Sequence, residues 1–398
     1  MSRLCLLALA LILGPGGILA GQTEGRGVLG VCRPNLSWQE APVGSGMSDS
    51  DYQKFLLGKA AAAGPDMKAV RLVLPNTQPA TRAAVIAHIL HCNALGIDVL
   101  LQPSMGDASY YPPKTAKRAG RHEGRYQLFD AFRLSDLDPL RFEAQIGLFL
   151  TEARAAKARI KAIELGNELN WADYNGDLPV YEVTGSQHTI LTSATAWAGI
   201  GRDAVYDKVR AGILKYGSCL FRLSKALNEK YADMPAVLKV TAGLADIGPA
   251  WVESTRSAKI TPSAFLLILE GRYPGQPVTA TNYLNYINGR GIHLYPADIT
   301  ADVALTKRQI SAIIDPIEDA TANHTPFWIT EWGYHRGKFG GNEDKRFRAH
   351  AAFVEAVNQL TFPVAYAFLY GFDAHQYECY LRATDSYLPT RAIFTGHH

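Results

Sequence analysis

The sequence from Ile163 to Asn170 is IELGNELN, and it decides how the rest of the chain is interpreted. An apolar run typical of a buried strand ends here at Asn167 and Glu168. A second such run, FWITEWG at residues 327–333, leads to Glu331. A carboxylate at the mouth of a buried strand is costly to place unless it has a partner or a use. The two glutamates are therefore the first candidates for a functional site.

Short apolar runs alternate with helical stretches along the whole chain. The runs are rich in β-branched residues and mostly lack polar alternation, as expected for parallel strands covered on both faces. The eight predicted strands are Val28–Val31, Ala69–Leu74, Ile97–Leu101, Ile160–Leu165, Leu238–Ala242, Gly291–Leu294, Phe327–Thr330 and Val364–Leu369. Apolar residues recur at helical spacing in Thr81–Leu95, Pro139–Ala156, Ala204–Tyr231, Lys307–Ala322 and Arg346–Leu360.

This alternation predicts an α/β protein with a single (β/α)8 TIM barrel. The alternative is an open doubly wound sheet, but no Gly-x-Gly-x-x-Gly turn follows the first strand. Long segments follow strands three, four and five, at residues 104–138, 170–203 and 243–288. Long loops in a compact barrel are usually functional, and the C-terminal ends of barrel strands hold its site. These loops should therefore wall a cleft.

Composition and the N-terminus limit the class of protein. The chain has 398 residues, 19% charged residues and a formal net charge of +3, which gives no sign of nucleic-acid binding. Arg3, the apolar run Leu4–Leu13 and a small residue at Ala20 predict a signal peptide over residues 1–20 and a secreted or periplasmic protein. No later run is long and apolar enough to span a membrane. One domain is predicted over residues 25–398.

Four cysteines remain once Cys5 leaves with the predicted signal peptide. They are Cys32, Cys92, Cys219 and Cys379. Four cysteines allow three pairings, and the sequence does not choose among them. An oxidising compartment permits disulfides, but a chain of this length does not need them.

The two glutamates fit the hydrolysis of a sugar acetal. That reaction needs one carboxylic acid to protonate the leaving oxygen and one ionised carboxylate to attack the anomeric carbon. Strands four and seven face each other across a barrel mouth. Glu168 and Glu331 could therefore lie the roughly 5–5.5 Å apart that a retaining mechanism uses.

Three strand ends resemble those of glycoside hydrolase clan A, and most closely its family 5 and family 39 branches. They are Asn167-Glu168 on strand four, His293-Leu294-Tyr295 on strand six and Thr330-Glu331-Trp332-Gly333 on strand seven. The resemblance implies a retaining β-glycosidase whose catalytic domain covers residues 25–398. Glu168 would be the acid/base, and Glu331 would be the nucleophile.

The resemblance also implies a role for each neighbour of the two glutamates. Asn167 would hold the substrate 2-hydroxyl group. Tyr295 would donate its phenol to the nucleophile, and Arg71 would add positive charge beside it. His293 would line the sugar site or support the acid. An ionised nucleophile needs such donors, whereas an acid needs a drier environment.

Aromatic side chains near the strand ends could stack on the C–H faces of a pyranose ring. The candidates are Trp171, Trp197, Trp251, Trp332, Tyr370 and Phe372. Trp332 beside the nucleophile and Trp171 close after the acid are the preferred ones. Glu164 lies inside strand four, and we interpret it as a structural group paired with Arg71 or a lysine.

The loop after strand three concentrates positive charge. Its charged residues are Lys114, Lys117, Arg118, Arg121, Arg125 and the opposing Glu123, which gives a formal charge of +4. Such a run is usually a solvated surface. The alternative is that the loop overhangs the cleft and attracts an anionic glycan.

No cofactor and no metal are predicted. The spacing of Glu331 and His335 matches no zinc-protease pattern. The expected partner is a carbohydrate, with no nucleic acid and no membrane span. Two alternatives remain open: a carbohydrate-binding barrel without turnover, and a transglycosylase in which an acceptor sugar replaces water.

Overall fold

The computed structural model describes residues 27–32, 40–43, 45–122, 127–181, 189–191, 204–246, 255–272, 280–373 and 376–396. The predicted signal peptide and four of the residues named above, Glu123, Arg125, Trp197 and Trp251, lie outside this described part of the chain.

The main sheet is a closed barrel of parallel strands. The strands are β1 Val28–Cys32, β2 Met67–Leu74, β3 Asp98–Pro103, β4 Ala162–Glu164, β5 in two pieces at Leu238–Val240 and Leu244–Ala245, β6 Arg290–Leu294, β7 Phe327–Trp332 and β8 Val364–Leu369. β1 pairs with both β2 and β8. β4 pairs with the first piece of β5, and β6 pairs with the second piece. The ring is thereby complete, which confirms the predicted (β/α)8 barrel.

Seven α-helices are described between these strands. They are α1 Asp49–Ala61, α2 Pro79–Ala94, α3 Pro139–Ala155, α4 Ala204–Lys230, α5 Pro262–Glu270, α6 Val303–Ala320 and α7 Glu343–Asn358. Short 3-10 helices lie at Ala108–Tyr110, Leu134–Asp136, Tyr283–Tyr286, Arg336–Phe339, Arg382–Thr384 and Pro389–Phe394. Two small ladders pair Thr189–Leu191 with Lys259–Ile260 and Tyr380–Leu381 with Ser386–Tyr387.

Helices α1 and α5 were not predicted, although both carry clear capping residues. The Ser48 side chain accepts from the N–H of Asp51 at the start of α1, and Thr261 accepts from Ala264 at the start of α5. Every residue of α5 is buried, so it has no polar face to reveal a helical period. The long loop predicted after strand five therefore contains a buried helix.

The barrel interior changes from apolar to polar along its axis. Successive side chains of a strand point to opposite faces, so each strand supplies one set inward and another to the helices. Near the N-terminal ends, Trp328 stacks on Tyr366 with ring centroids 4.3 Å apart, and Tyr366 donates to Asp98. Nearer the C-terminal ends the interior holds the fully buried Arg71 and Glu164. The polar end of the barrel is thus where charge collects.

The structure also bears on disulfide pairing and on membrane-spanning helices. Cys32, Cys92, Cys219 and Cys379 are all buried, and none of the three possible disulfide pairings is formed among them. None of the helices in the described ranges is both long and apolar enough to cross a bilayer.

Candidate active site

A bulge in β7 turns Glu331 into the barrel. Ile329 pairs with Ile292 of β6, but Glu331 pairs with the very next residue, His293, so Thr330 is an extra residue in β7. A β-bulge re-aims the side chains that follow it. Glu331 consequently points to the interior, where 3% of its surface is exposed.

The end of β4 has the backbone conformation that presents Glu168. Gly166 has φ +92°, and a Cβ there would lie 2.8 Å from the Leu169 side chain. Glu168 itself has φ +44°, a left-handed conformation that costs a non-glycine residue about 1–3 kcal/mol. Its N–H donates to the carbonyl of Gly243 at 2.9 Å, and Asn170 donates to the carbonyl of Ala245 at 2.8 Å. These bonds to the β5 segment hold the strained turn in place.

Glu168, His293 and Glu331 meet at the mouth of the barrel. One side-chain ligand atom from each lies within 4.8 Å of the other two. His293 Nδ1 is 2.7 Å from Glu168 Oε1 and 3.5 Å from Glu331 Oε2. Glu168 keeps 9% of its surface exposed, and Glu331 keeps 3%. The two glutamates, predicted from distant parts of the sequence, thus form one pair.

Arg71 neutralises the charge at the base of this pair. Its Nη1 donates to Glu331 Oε1 at 2.7 Å, and its Nη2 donates to Asn167 Oδ1 at 2.9 Å. Its Nε donates to Glu164, as predicted for that structural carboxylate. A buried charge is stable only with such partners. Arg71 therefore serves both as a barrel ion pair and as a cation beside Glu331.

Three tyrosines from two loops surround the other side of Glu331. The Tyr295 hydroxyl donates to Glu331 Oε2 at 2.9 Å, the hydrogen bond that the sequence predicted. Tyr295 is 36% exposed, but its hydroxyl end is buried, and this burial and the Glu331 charge raise the pKa of Tyr295. Tyr370 and Tyr377 pack edge-on to it, with ring centroids at 6.1 and 5.9 Å.

Tyr377 was not predicted from the sequence. Burial and the charge of Glu331 raise the pKa of Tyr377, so it belongs to the same environment as Tyr295. It lies after β8 in a segment with no strand end or motif to mark it. Only the aromatic cluster in three dimensions identifies it.

His293 fits against β5 because Gly243 has no side chain. A Cβ at Gly243 would lie 2.2 Å from His293 Nε2 and 2.4 Å from Thr330 Oγ1. Any larger residue would displace the imidazole that contacts both carboxylates. A glycine is thus required at position 243 because the His293 side chain packs closely against its backbone, and not because the chain turns there.

The position of Trp332 corrects one prediction. Because Glu331 points inward, Trp332 points outward, where it is fully buried and stacks on Phe353 of α7 at 4.1 Å. It packs the barrel against a helix and has no face for a sugar. Trp171 is also buried, and its indole N–H donates to Ser257 at 2.8 Å. Its stacking on a sugar stays a prediction.

The basic loop after β3 packs on the loop that follows Glu168. Arg118 donates to the carbonyl of Ala172, and the N–H of Phe129 donates to Asp173 Oδ1 at 2.6 Å. Burial, with a contribution from the charge of Glu168, raises the pKa of Asp173 to about 6. The sequence did not identify Asp173, because its neighbours come from a loop some forty residues earlier.

The donor set argues against a metal ion. Among the described residues, Glu168, His293 and Glu331 are the group with a spacing that an ion could use. Arg71 already donates to one oxygen of Glu331, and Tyr295 donates to the other. The guanidinium would also repel a cation placed there. The arrangement favours hydrogen-bonded carboxylates.

Comparison with known proteins gives similar folds but no matching sequence family. No protein-family model and no curated relative matches the sequence. A structure of fungal β-1,4-galactanases is similar with a TM-score of 0.51 and 9% identity, covering 92% of this chain and 98% of that chain. Virulence factor SghA from Agrobacterium tumefaciens is similar with a TM-score of 0.52 and 11% identity, and the match covers 93% of this chain and 96% of that chain.

A third similar structure is a GH5_18 variant from Bifidobacterium longum subsp. longum in complex with Manb1-4GlcNAc. Its TM-score is 0.52 at 12% identity, and the match covers 93% of this chain and 77% of that chain. At these identities the similarity shows the fold alone, which is the (β/α)8 barrel, and membership of family 5 in clan A stays a prediction. The family 39 alternative stays a prediction.

Proposed function

We propose that this protein is a retaining β-glycosidase that cleaves a poly- or oligosaccharide. The observation that carries the proposal is the pair Glu168 and Glu331, whose nearest oxygens lie within 4.8 Å. Retaining enzymes use carboxyl groups about 5–5.5 Å apart, whereas inverting enzymes need about 6.5–9.5 Å to admit a water molecule. The spacing supports double displacement.

In the first step, an oxygen of Glu331 attacks the anomeric carbon as the bond to the leaving oxygen breaks. Arg71 and Tyr295 keep Glu331 ionised and aimed, because each donates to one of its oxygens. The electron pair of the broken bond goes to the leaving oxygen, which takes a proton from Glu168. The products of this step are a glycosyl ester on Glu331 and a free alcohol.

In the second step, Glu168 takes a proton from water, and the water oxygen attacks the anomeric carbon and releases Glu331. His293 supports this exchange of roles, since its Nδ1 lies 2.7 Å from one carboxylate and 3.5 Å from the other. It can donate to whichever carboxylate carries the charge. Two inversions give net retention of configuration.

The two alternative functions differ in what they require of the site. A carbohydrate-binding barrel needs neither a strained Glu168 nor a nucleophile held by two donors. A transglycosylase needs the same groups but passes the glycosyl unit to an acceptor sugar. The similar galactanases and the GH5_18 complex with Manb1-4GlcNAc make β-1,4-linked galactosides and mannosides the first substrates to test.

Hydrolysis of p-nitrophenyl β-glycosides by the wild type and by Glu331→Gln tests the proposal. We expect the variant to lose at least about a thousandfold in kcat. Glu229→Gln is the matched control, because Glu229 lies exposed on α4. NMR of the first-formed sugar anomer should show retention. Equal rates for the wild type and Glu331→Gln, or an inverted product, would exclude this mechanism.

We further propose export of the protein, on the basis of Arg3 and the apolar run Leu4–Leu13. Expression of the full chain in a bacterial host, followed by N-terminal sequencing of the periplasmic and secreted fractions, tests this. A mature start at Gly21 is expected. An intact N-terminus in the cytoplasmic fraction would contradict export.

As an alternative to a solvated surface, we also propose that the basic loop after β3 attracts anionic glycans, because it packs beside the loop of Glu168. Arg118 is half-buried there and contacts Ala172. Turnover of uronate-containing polysaccharides should fall as salt rises, because mobile ions screen charges beyond about 10 Å. If a neutral glycan were cleaved faster, at a rate independent of salt, this proposal would be contradicted.

A further inference from the structure

We propose that Phe129 and Tyr174 form a binding platform for the leaving-group sugar, on the Glu168 side of the site. This inference rests on the proposed glycosidase function. Phe129 is 62% exposed, and its ring centroid lies 6.0 Å from that of the half-exposed Tyr174. The two rings come from different loops and meet at the surface. Pyranose rings bind to such aromatic faces through their C–H groups.

The backbone under Phe129 is held in place although its ring is not packed into the core. Isolated bridges join Arg118 to Ala131 and Arg121 to Leu128. Between them, the N–H of Phe129 donates to the buried carboxylate of Asp173 at 2.6 Å. Because this backbone is already ordered, little backbone freedom is lost on binding, which favours affinity.

The platform is attached directly to the turn that presents Glu168. The N–H of Trp171 donates to the carbonyl of Glu168 at 2.9 Å, and the N–H of Tyr174 donates to the carbonyl of Trp171 at 3.1 Å. Trp171 also packs edge-on to Tyr174, with centroids 6.4 Å apart. A shift of the platform would therefore move the turn of Glu168 with it.

The side of the cleft follows from the chemistry of the two glutamates. An acid must lie next to the leaving oxygen that it protonates, so the sugar attached to that oxygen lies on the Glu168 side. The aromatic residues beside Glu331, which are Tyr295, Tyr370 and Tyr377, surround the opposite side. Each half of a glycosidic bond thus has its own aromatic surface, and Phe129 with Tyr174 is assigned to the departing half.

Two substrates built from the same sugar distinguish the contribution of this platform to turnover from that of the rest of the site. A β-glycosyl fluoride has no leaving-group sugar, whereas a β-1,4-linked tetrasaccharide does. We expect Phe129→Ala to lower the ratio of kcat/KM on the tetrasaccharide to kcat/KM on the fluoride about fivefold to tenfold, which corresponds to about 1–1.4 kcal/mol. Phe129→Tyr keeps the ring and should keep the ratio. Phe221→Ala, at an exposed phenylalanine of α4, is the matched control.

The outcomes distinguish the two proposals. A wild type that turns over no glycoside and no fluoride overturns the glycosidase function, and this inference with it. A wild type that hydrolyses both substrates while Phe129→Ala leaves the ratio unchanged overturns the platform alone. Hydrolysis of fluorides but of no oligosaccharide also overturns a sugar subsite at this position.

Discussion

Arg71 on β2 and Glu331 on β7 form a 2.7 Å ion pair across the interior of the barrel. The same guanidinium binds Glu164 and Asn167, so one side chain joins β2, the end of β4 and β7. Two carboxylates share a single cation in a region with almost no contact with water. The stability of the barrel and the charge of the proposed nucleophile therefore depend on the same residue.

Replacement of Arg71 should destabilise the protein. Removing one partner of a buried ion pair typically costs about 3–5 kcal/mol, because the remaining charge is uncompensated. We expect a loss of this size for Arg71→Met in urea unfolding followed by circular dichroism. Arg71→Lys should lose less, since it keeps the charge but not the planar fork of donors. The double variant Arg71→Met/Glu164→Gln should recover part of the loss. A destabilisation below about 1 kcal/mol would contradict the shared ion pair.

Tyr295→Phe should lower kcat about tenfold to a hundredfold. The phenol donates to Glu331 Oε2, and a hydrogen bond to a charged group contributes about 1.5–3 kcal/mol. The ring is retained, so KM and the melting temperature should change little. Steady-state kinetics on an aryl β-glycoside check this, with Tyr286→Phe, which lies in a 3-10 helix before β6, as the control. A kcat equal to that of the wild type would show that the bond does not act in the reaction.

The activity of Glu168→Ala should depend on the leaving group of the substrate. Good leaving groups need no proton, so formation of the glycosyl ester should survive on a dinitrophenyl β-glycoside and should be lost on an oligosaccharide. Breakdown of the ester still needs a base for water, so the ester should accumulate as a burst. Azide, which needs no base, should restore turnover and give a β-glycosyl azide. The same loss on both substrates, without rescue, would assign Glu168 another role.

Chelators should not affect activity. Both oxygens of Glu331 already accept from Arg71 and Tyr295, and the guanidinium opposes a second cation. Dialysis against EDTA, followed by metal analysis and an assay on the aryl glycoside, checks this. Loss of activity that returns with one particular divalent ion would place a metal between Glu168, His293 and Glu331.

The sequence predicted the parts of the site that lie on strands or directly after them. Asn167, Glu168, His293 and Glu331 end apolar runs, and a parallel barrel brings all strand ends to one face. Trp332 was preferred only because it is next to Glu331, but adjacent residues of a strand point to opposite faces. The bulge at Thr330, which no residue in FWITEWG marks, turns Glu331 inward and therefore turns Trp332 outward. The direction of a side chain after a bulge depends on pairing with neighbouring strands.

The loop residues of the site could not be predicted from local patterns. Phe129 and Asp173 are joined by a backbone hydrogen bond between loops that follow different strands. Tyr377 is identified only by its packing on Tyr295 and Tyr370. Helix α5 was missed for a related reason, since a helix buried on every side has no amphipathic period. Non-local contacts determine all of these positions.

Asp173→Asn should change how stability depends on pH. Burial raises the pKa of Asp173 from 3.8 to about 6, with the charge of Glu168 adding to the shift and the N–H of Phe129 opposing it. Between about pH 4 and pH 6, the folded protein holds a proton that the unfolded chain has released. Stability should therefore fall as pH rises through this window, by about 3 kcal/mol in total, and the loss should stay constant above it.

Asparagine cannot ionise, but its amide oxygen can still accept from the N–H of Phe129. The variant should match the wild type near pH 4 and be the more stable protein at pH 7, because it avoids the buried charge. Urea unfolding at pH 4, 5, 6 and 7 measures the difference, with Asp233→Asn at an exposed ion pair with Arg154 as the control. A difference between variant and wild type that is the same at every pH would show that Asp173 does not titrate in this range.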